Sequence, residues 1–231
     1  MKRRITVLTG AGISAESGLA TFRAVDGLWE RHRIEDVATP EAFARDPQLV
    51  HRFYNARRAA ARAAEPNPAH HALVRLARHH DLTLITQNVD DLHERAGSPA
   101  VIHMHGCLFQ ARCAACGHAW PAPPQMQHDD PCPACGTATT RPDIVWFGET
   151  PYHLDRIWSA LGTSDIFAAI GTSGRVWPAA GFARYAAHAG ADCIELNLEA
   201  SAIARDFHNR ITGPASITVP EWVDSLCPPQ G

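Results

Sequence analysis

The sequence predicts an α/β fold whose main element is a doubly wound parallel sheet. Short apolar runs, typical of buried strands, alternate with Ala- and Arg-rich stretches that are typical of helices. Several runs end in polar clusters, and ligands of open α/β sheets bind at the carboxyl ends of the strands. We therefore expect one crevice of the Rossmann type. The predicted strands are residues 5–8, 82–85, 101–103, 166–170, 193–198 and 217–219.

The first strand leads into a glycine-rich segment at residues 9–23, TGAGISAESGLATFR. Gly10 and Gly12 allow the backbone to turn tightly and to approach a ligand, and the residues after them can open a helix whose N–H groups face a diphosphate. The third glycine, Gly18, comes too late for the usual dinucleotide fingerprint, and the final Thr-Phe-Arg has no counterpart in it. The segment predicts a dinucleotide site unlike that of an ordinary oxidoreductase.

Two stretches interrupt the alternation and are predicted to pack together as a smaller lobe. Residues 26–66 have the character of helices and loops, with a helix start at Thr39 and Pro40 and a helical run at 48–64. Residues 107–140 are rich in Cys, Pro and Gly and show no periodicity. The rest of the chain is assigned to the Rossmann domain, namely residues 1–25, 67–106 and 141–231.

The composition narrows the classes of partner. The chain has 231 residues, enough for one sizeable core and a small satellite. Its formal net charge of -3 provides no basic field for nucleic acid. No apolar run reaches the ~18 residues of a membrane-spanning helix, and the residues before the first strand are too few for a signal peptide. We expect a cytoplasmic monomer that binds neither nucleic acid nor membrane, with its seven cysteines free of disulfides.

Four cysteines in two CxxC pairs predict a zinc ribbon. Fifteen residues separate the pairs, and a glycine follows the second cysteine of each. This spacing is typical of a tetrahedral Zn(Cys)4 site, which is structural because four protein ligands leave no open position. His118 and His128 are competing ligands, and the absence of a basic stripe in the segment favours a scaffold over a nucleic-acid binder. The predicted ligands are Cys113, Cys116, Cys132 and Cys135.

Three further segments carry groups suited to chemistry or binding. TQNVDDLHERAG at 86–97 places amides and a carboxylate where a strand gives way to a helix, and such groups suit sugar hydroxyls and a carboxamide or cap the helix. HMHG follows another strand, and His105 beside its glycine is the predicted general base, with His103 as the next candidate. The extended run RPDIVWFGE at 141–149 either pairs with a peptide or returns the chain to the main sheet.

Together these segments resemble the sirtuins, a family of NAD-dependent protein lysine deacylases. The resemblance runs in order from residue 9 to about 199, almost the whole chain. Trp177 stands where the family often has Tyr, a difference expected only to reshape the wall of the peptide groove. The matching segments are TGAGISAESGLATFR, TQNVDDLH, HMHG, the two CxxC pairs, RPDIVWFGE, GTSGRVWPAA and ELNLE, with GPASITVPEWV near the end.

The resemblance implies that NAD is a consumed co-substrate and that one zinc is structural. The acyl oxygen attacks C1′ of the ribose as nicotinamide leaves, and His105 then helps to deprotonate a ribose hydroxyl, which yields 2′-O-acyl-ADP-ribose and free lysine. Asn88 and Asp90 hold the carboxamide and join His105 as catalytic residues. The residues implied to contact NAD are Gly10, Ala11, Gly12, Ile13, Glu16, Thr21, Phe22, Arg23, Trp29, Gln87, Asn88, Asp90, Gly171, Thr172, Ser173, Asn197, Glu199 and Ala215.

A second match, to the YxxR signature of class III sirtuins, implies deacetylase and desuccinylase activity. Tyr54 and Arg57 lie at i and i+3 of one helix face, and they would bind the carboxylate of a succinyl or malonyl group. Arg52, Arg58 and Arg62 are expected to face solvent. The residues implied to contact an extended acyl-lysine peptide are Ala38, which keeps the pocket wide, Tyr54, Arg57, Val145, Phe147, Gly148, Glu149 and Val176.

Two other functions fit part of this pattern. An NAD-dependent mono-ADP-ribosyltransferase would use the same NAD site without an acyl-lysine. A non-catalytic sensor of NAD or ADP-ribose would use the zinc lobe to bind a partner, although the intact Asn88, Asp90 and His105 argue against it. The sequence therefore predicts first a protein deacylase that acts on acetyl-, succinyl- and malonyl-lysine.

Overall fold

Six parallel strands form the main sheet of the protein. The computed structural model describes residues 2–20, 28–29 and 32–227, and for 28–29 it describes the backbone. In chain order the strands are β1 (Arg4–Thr9), β2 (Leu28–Trp29), β3 (His32–Arg33), β4 (Asp81–Thr86), β5 (Val101–His103), β6 (Gly106–Cys113), β7 (Ala119–Pro121), β8 (Thr140–Ile144), β9 (Ile166–Ile170), β10 (Asp192–Asn197) and β11 (Asn209–Thr212). The helices are α1 (Ile34–Val37), α2 (Pro40–Arg45), α3 (Pro47–Ala63), α4 (Pro68–His79), α5 (Leu92–Ala96), α6 (Leu154–Leu161), α7 (Phe182–His188) and α8 (Ala215–Leu226).

The order of the main sheet is β11-β10-β9-β1-β4-β5, and every neighbouring pair is parallel. One face packs on α4 and α8 through residues such as Leu73 and Val223, and the other packs on α6 and α7 through residues such as Ile157 and Phe182. The predicted doubly wound parallel sheet is therefore confirmed. Among the described residues, every helix falls short of the length or apolar character that crossing a bilayer requires.

Five of the six predicted strands are confirmed as β1, β4, β5, β9 and β10, but the strand at 217–219 is wrong. Those residues lie in α8, because Val219, Trp222 and Val223 repeat at i, i+3 and i+4 and bury one helical face. A short apolar run does not distinguish a strand from a helix by itself. The sixth strand is β11, a polar edge strand with three of its four residues exposed.

The helical stretch at 32–66 confirms the predicted helix start and the run at 48–64. The Thr39 hydroxyl caps α2 by accepting a hydrogen bond from Ala42 N at 3.0 Å. The predicted run is α3, which packs on β6 and β8 through a shared core that includes Tyr54 and Leu108. The two insertions therefore pack together as expected.

The second insertion is more regular than its sequence indicates. β6, β7 and β8 form a three-stranded antiparallel sheet in the order β7-β6-β8, with a register shift between Gly106 and Ala111. That irregularity interrupts the alternation of inward- and outward-facing side chains by which a strand is identified from sequence. The run at 141–149 begins in this small sheet and does not return to the main one. The predicted domain boundary at 106/107 lies inside β6, and the one at 140/141 lies inside β8. These boundaries stay a prediction.

Arg52 and Arg62 are exposed, as expected. The prediction that Arg58 also faces solvent is wrong, because the Arg58 side chain is buried. Its guanidinium donates to Leu108 O at 2.6 Å, to Asn55 Oδ1 at 2.7 Å and to Met126 Sδ at 3.1 Å. Burial lowers the pKa of Arg58 to about 10. The side chain ties α3 to the ribbon, a tertiary contact that helix periodicity does not reveal.

We expect Arg58→Ala to lower the free energy of unfolding by about 2–5 kcal/mol, because it opens a cavity and leaves the buried Leu108 carbonyl without its donor. Chemical denaturation monitored by circular dichroism gives this value. Arg62→Ala on the same helix is the matched control and should change it by about 0.5 kcal/mol or less. Equal, small effects of the two substitutions would contradict the structural role of Arg58.

Candidate active site

A cleft of about 1190 Å³ opens at the carboxyl ends of the main-sheet strands and reaches the small lobe. The four polar clusters that follow β1, β4, β9 and β10 all line it, as the sequence predicts. The predicted site residues that line it are Gly10, Ala11, Gly12, Glu16, Ala38, Tyr54, Arg57, Gln87, Asn88, Asp90, His105, Val145, Phe147, Gly148, Glu149, Gly171, Thr172, Ser173, Val176, Asn197, Glu199 and Ala215.

Ile13 is the one other predicted cofactor or substrate residue whose side chain the structure describes. Ile13 is fully buried beneath the cleft and belongs to the core under the main sheet. Trp29 lies in β2 and pairs with His32, and its side chain is outside the described part of the protein. The predicted cofactor residues Thr21, Phe22 and Arg23 lie outside the described residues altogether.

Three glycines bring the ends of β1 and β9 together at the floor of the cleft. A Cβ on Gly10 would lie 2.7 Å from Gly171 O, and one on Gly12 would lie 2.6 Å from Gly171 Cα. Gly171 has a φ of 63°, and Gly12 N donates to its carbonyl at 2.9 Å. Two short 3-10 turns, at Ala11–Ile13 and Ala15–Ser17, follow in place of the expected helix. Backbone packing alone therefore requires these glycines.

Asn88 and Asp90 are joined by Ser14, a residue without a predicted role. The Ser14 hydroxyl donates to Asp90 Oδ2 at 3.1 Å and accepts from Asn88 Nδ2 at 3.1 Å. Asn88 Nδ2 also donates to Gly10 O at 3.1 Å. Burial raises the pKa of Asp90, although hydrogen bonds from Leu92 N and Ser14 oppose this. The position of Ser14 inside the glycine-rich segment is the sequence feature that could have indicated its place in the site.

A buried histidine supports the same loop from below. His93 is 1% exposed, and its Nε2 lies 2.9 Å from the hydroxyl of Thr9. The Thr9 hydroxyl donates its only proton to Thr86 Oγ1 at 2.9 Å. In the contact between His93 and Thr9, His93 Nε2 is therefore the donor. Thr86 Oγ1 also accepts from Asn88 N at 3.0 Å. This chain of contacts fixes the backbone of Asn88 where β4 ends.

His105 has the tautomer that a general base needs. Its Nδ1 lies 3.2 Å from Gln87 O, and because a carbonyl only accepts, Nδ1 carries the proton and Nε2 keeps its lone pair. Burial lowers the pKa of His105, and the contact with the Gln87 carbonyl only partly offsets this. The ring therefore remains neutral near pH 7 while it lines the cleft.

His103 has the opposite character. Its Nδ1 lies 3.2 Å from Asn88 O and its Nε2 lies 2.7 Å from Glu94 Oε1, so both ring nitrogens are engaged as donors when Glu94 is ionised. Burial lowers the pKa of His103, but the hydrogen bond and charge of Glu94 outweigh it and the pKa is raised. His103 lines a separate cavity of about 400 Å³ and not the cleft.

Several predicted cofactor residues are already hydrogen bonded to the protein. Gln87 Nε2 donates to Thr172 Oγ1 at 2.9 Å, and Asn197 Nδ2 donates to Thr172 O at 2.7 Å. The Glu16 carboxylate accepts from the backbone and hydroxyl of Ser216 at 2.8 and 2.6 Å, at the start of α8. These contacts hold the strand-end loops against one another around the cleft.

The small lobe contributes Tyr54, Arg57 and Ala38 to the same cleft. Tyr54 is 1% exposed, and its hydroxyl accepts a hydrogen bond from Trp146 Nε1 at 3.0 Å. The Arg57 guanidinium lies 5.8 Å from the ring centre of Phe53. A phenol and a guanidinium one helical turn apart on α3 provide donors that suit a carboxylate.

The segment 145–149 joins the turn at His105 to Ala38 of the small lobe. Val145 N donates to His105 O at 2.9 Å, and Phe147 N donates to Ala38 O at 3.0 Å. A peptide that pairs with this segment would therefore use backbone groups other than these two N–H groups. Phe147 and Trp177 are 45% and 74% exposed at the cleft, where they offer apolar surface to a bound peptide.

The four predicted cysteine ligands come together at the tip of the ribbon. Cys113 Sγ lies 3.7 Å from Cys135 Sγ, and Cys116 Sγ lies 3.7 Å from Cys132 Sγ. Zn–S bonds of ~2.3 Å in a tetrahedron place sulfur atoms about 3.8 Å apart, so the cluster fits a zinc ion. Within the described residues this is the group suited to a metal, and neither His118 nor His128 belongs to it.

Comparisons with known proteins agree with this geometry. The sequence profile of the Sir2 family matches residues 10–178. A protein of Escherichia coli strain K12 named NAD-dependent protein deacylase is 54% identical over 230 residues, which cover 97% of this chain and 82% of that protein. A solved Sir2 homolog–NAD complex is 40% identical with a TM-score of 0.89, covering 96% of this chain and 88% of that one. A Sir2 complex with a p53 peptide and NAD+ is 26% identical with a TM-score of 0.80, covering 97% and 92%.

We expect about one zinc per chain in the purified protein, and loss of that zinc together with a lower unfolding temperature when Cys113 becomes Ser. Elemental analysis and thermal unfolding test this. The control is Cys193→Ala. Cys193 is buried and lies outside the cluster, so this variant protein should keep its zinc. A zinc-free sample that unfolds at the wild-type temperature would contradict the structural role of the metal.

Proposed function

The chain belongs to the Sir2 family, and we propose that it is an NAD-dependent protein deacylase that removes acetyl, succinyl and malonyl groups from lysine side chains. The products are nicotinamide, 2′-O-acyl-ADP-ribose and free lysine. The observation that carries the proposal is that one cleft joins the glycine floor, a neutral His105 and the Tyr54–Arg57 pair. NAD supplies the ribose whose 2′ oxygen accepts the acyl group, and it is consumed together with one water molecule.

The NAD site lies in this proposal over the three strand-end glycines. Gly10, Ala11 and Gly12 face the diphosphate, because all three line the cleft and the two glycines pack their backbone directly on Gly171. The Asn88–Ser14–Asp90 network receives the nicotinamide carboxamide, whose amide needs a donor and an acceptor. The remaining NAD contacts are assigned to Glu16, Thr21, Phe22, Arg23, Trp29, Gln87, Thr172, Ser173, Asn197, Glu199 and Ala215, whereas Ile13 supports the floor from the core.

His105 acts as the general base in the proposed reaction. Its Nε2 lone pair accepts the proton of a ribose hydroxyl, and the resulting charge is stabilised by the Gln87 carbonyl at Nδ1. His103 is unsuited to the role because the charged form that Glu94 stabilises has no lone pair to offer.

The protein substrate binds as an extended chain beside residues 145–149 and Val176. The Sir2–p53 peptide–NAD+ structure, which resembles this chain, supports a peptide as the substrate. We assign the cytoplasm as the location, because cysteine pairs that bind a metal are typical of reducing compartments. The enzyme acts as a monomer in this proposal.

The proposed function is tested by incubating the protein with NAD and matched acetyl-, succinyl- and malonyl-lysine peptides and weighing the products. Loss of the acyl mass from the peptide together with 2′-O-acyl-ADP-ribose supports deacylation. Addition of ADP-ribose to a protein without acyl-lysine would indicate a mono-ADP-ribosyltransferase instead. Tight NAD binding with no change in any mass would indicate a sensor.

We expect His105→Ala to lower the deacylation rate on the order of 10²–10⁴-fold while NAD binding survives, because the substitution removes the base and none of the diphosphate contacts. Turnover by mass spectrometry and NAD binding by calorimetry separate these effects. His103→Gln is the comparison and should lose less activity. The reverse order would assign the base to His103.

The pH profile provides a further check on His105. A base works in its neutral form, and burial holds the pKa of His105 below its usual value. The acid limb of kcat/KM should therefore have its midpoint below about pH 6.5, with activity rising as pH increases through it. A midpoint above that value would conflict with a buried neutral imidazole as the base.

We expect Arg57→Met or Tyr54→Phe to reduce desuccinylation roughly 10- to 100-fold more than deacetylation, because only the acidic acyl chain has a carboxylate for them to bind. Ala38→Leu should also narrow the pocket and lower succinyl turnover first. The measurement is kcat/KM on matched peptides, with the exposed Arg62→Met as the control. Equal losses on both acyl groups would mean that the pair supports the fold and does not select the acyl chain.

A further inference from the structure

Trp146 is outside the set of proposed site residues, yet it lines the cleft beside Tyr54. The side chain is 3% exposed, and its Nε1 donates to the Tyr54 hydroxyl at 3.0 Å. An indole N–H is a donor only, so the Tyr54 oxygen must be the acceptor in this contact. The phenolic proton is therefore directed away from Trp146 and remains available for another acceptor.

The Tyr54 hydroxyl keeps its proton under all ordinary conditions. Burial raises the pKa of Tyr54 well above its usual value, although Trp146 and the nearby charge of Arg57 oppose this. A neutral phenol that accepts one hydrogen bond becomes a better donor for the next, because hydrogen bonds in a chain polarise one another. Tyr54 is thus poised to donate into the cleft.

The indole is itself held in place by charged neighbours. Arg141 Cζ lies 3.4 Å from the ring centre of Trp146. Arg141 is fixed in turn by two hydrogen bonds to the Glu149 carboxylate, at 2.6 and 2.9 Å, and by one to Ile144 O at 2.8 Å. Glu149 Oε2 also accepts from the backbone N of Trp146 at 2.8 Å. The ring and the backbone of Trp146 are therefore fixed by the same ion pair.

We infer that Trp146 is a positioning residue for acyl-chain selection, whose N–H orients the Tyr54 hydroxyl toward the carboxylate of a succinyl or malonyl group. This inference rests on the proposed function and extends it. The brace runs from Glu149 through Arg141 and Trp146 to Tyr54, and each link is a contact given above. An acetyl group presents no carboxylate to Tyr54, so the brace acts on acidic chains alone.

A packing role for Trp146 makes a different prediction. The ring also packs on Phe43, with ring centres 5.2 Å apart, and on Tyr54, at 6.4 Å. If packing were its whole contribution, removal of the N–H would leave acyl selection unchanged, and truncation of the ring would reduce both activities together. The orienting role instead lowers succinyl turnover selectively, and only while the Tyr54 hydroxyl is present.

The test is a double-mutant cycle with Trp146→Phe and Tyr54→Phe, assayed on matched acetyl- and succinyl-lysine peptides with NAD. Loss of one neutral hydrogen bond corresponds to a factor of about 2–10, so Trp146→Phe should lower succinyl kcat/KM by that factor, mainly through KM. Acetyl kcat/KM should stay within about twofold. In the Tyr54→Phe background, Trp146→Phe should change the succinyl-to-acetyl ratio no further.

A second variant separates the N–H from the ring. Site-specific replacement of Trp146 by 3-benzothienylalanine keeps the bicyclic shape and removes the donor, so it decides the question even if Trp146→Phe fails to fold. It should lower succinyl kcat/KM by the same factor of about 2–10. Trp158→Phe is the control: Trp158 packs between Phe182 and Tyr185, with ring centres 4.9 Å from each, outside the cleft lining.

The outcomes distinguish this inference from the proposed function. A wild-type protein that removes neither acyl group in the presence of NAD refutes the proposed function itself. A wild-type protein that removes both, with selectivity that depends on Tyr54 but is unchanged in both Trp146 variants, overturns this inference alone. Equal losses on both peptides, or wild-type selectivity in Tyr54→Phe, overturn it as well.

Discussion

The close approach of two backbone turns at the floor of the cleft is the constraint on which the site depends. Gly10 and Gly12 rest on Gly171 at distances that no Cβ could occupy. Because these turns continue β1 and β9, neighbours at the centre of the sheet, their contact fixes the loop that contains Ser14. Ser14 then joins Asn88 to Asp90. A side chain at the floor would displace groups several residues away.

The small lobe depends on a different kind of contact. Its two insertions are distant in sequence, and buried hydrogen bonds join them. Apolar packing alone would allow α3 to shift along the ribbon. Asn55 Nδ2 donates to Met126 O at 2.9 Å, and Met126 N donates to Asn55 Oδ1 at 3.0 Å. Arg58 adds its bonds to the same region. These directional contacts fix the register of α3, which presents Tyr54 and Arg57 to the cleft.

Electrostatic environment separates two histidines that lie two residues apart. His103 faces Glu94, whose charge favours the imidazolium, whereas His105 has a carbonyl at Nδ1 and little solvent to stabilise a charge. Desolvation acts on both rings, but only His103 has a carboxylate that overcomes it. Their side chains also line separate cavities. The same residue type therefore has opposite pKa shifts at the two positions, and its neighbours from other elements decide which.

The sequence by itself determined the parallel sheet, because buried parallel strands are apolar runs, and the cysteine cluster, because metal ligands have fixed spacing. It also indicated that the polar groups after the strands meet in one cleft, because parallel strands end at one edge of the sheet. It could not determine β11, which is a polar edge strand, or the burial of Arg58. Nor could it identify the hydrogen bonds that join Ser14 to Asn88 and Asp90, or the Trp146–Tyr54 hydrogen bond. Only the tertiary structure decided these, because each depends on groups far apart in the chain, and periodicity reports the burial of a face but not its partner.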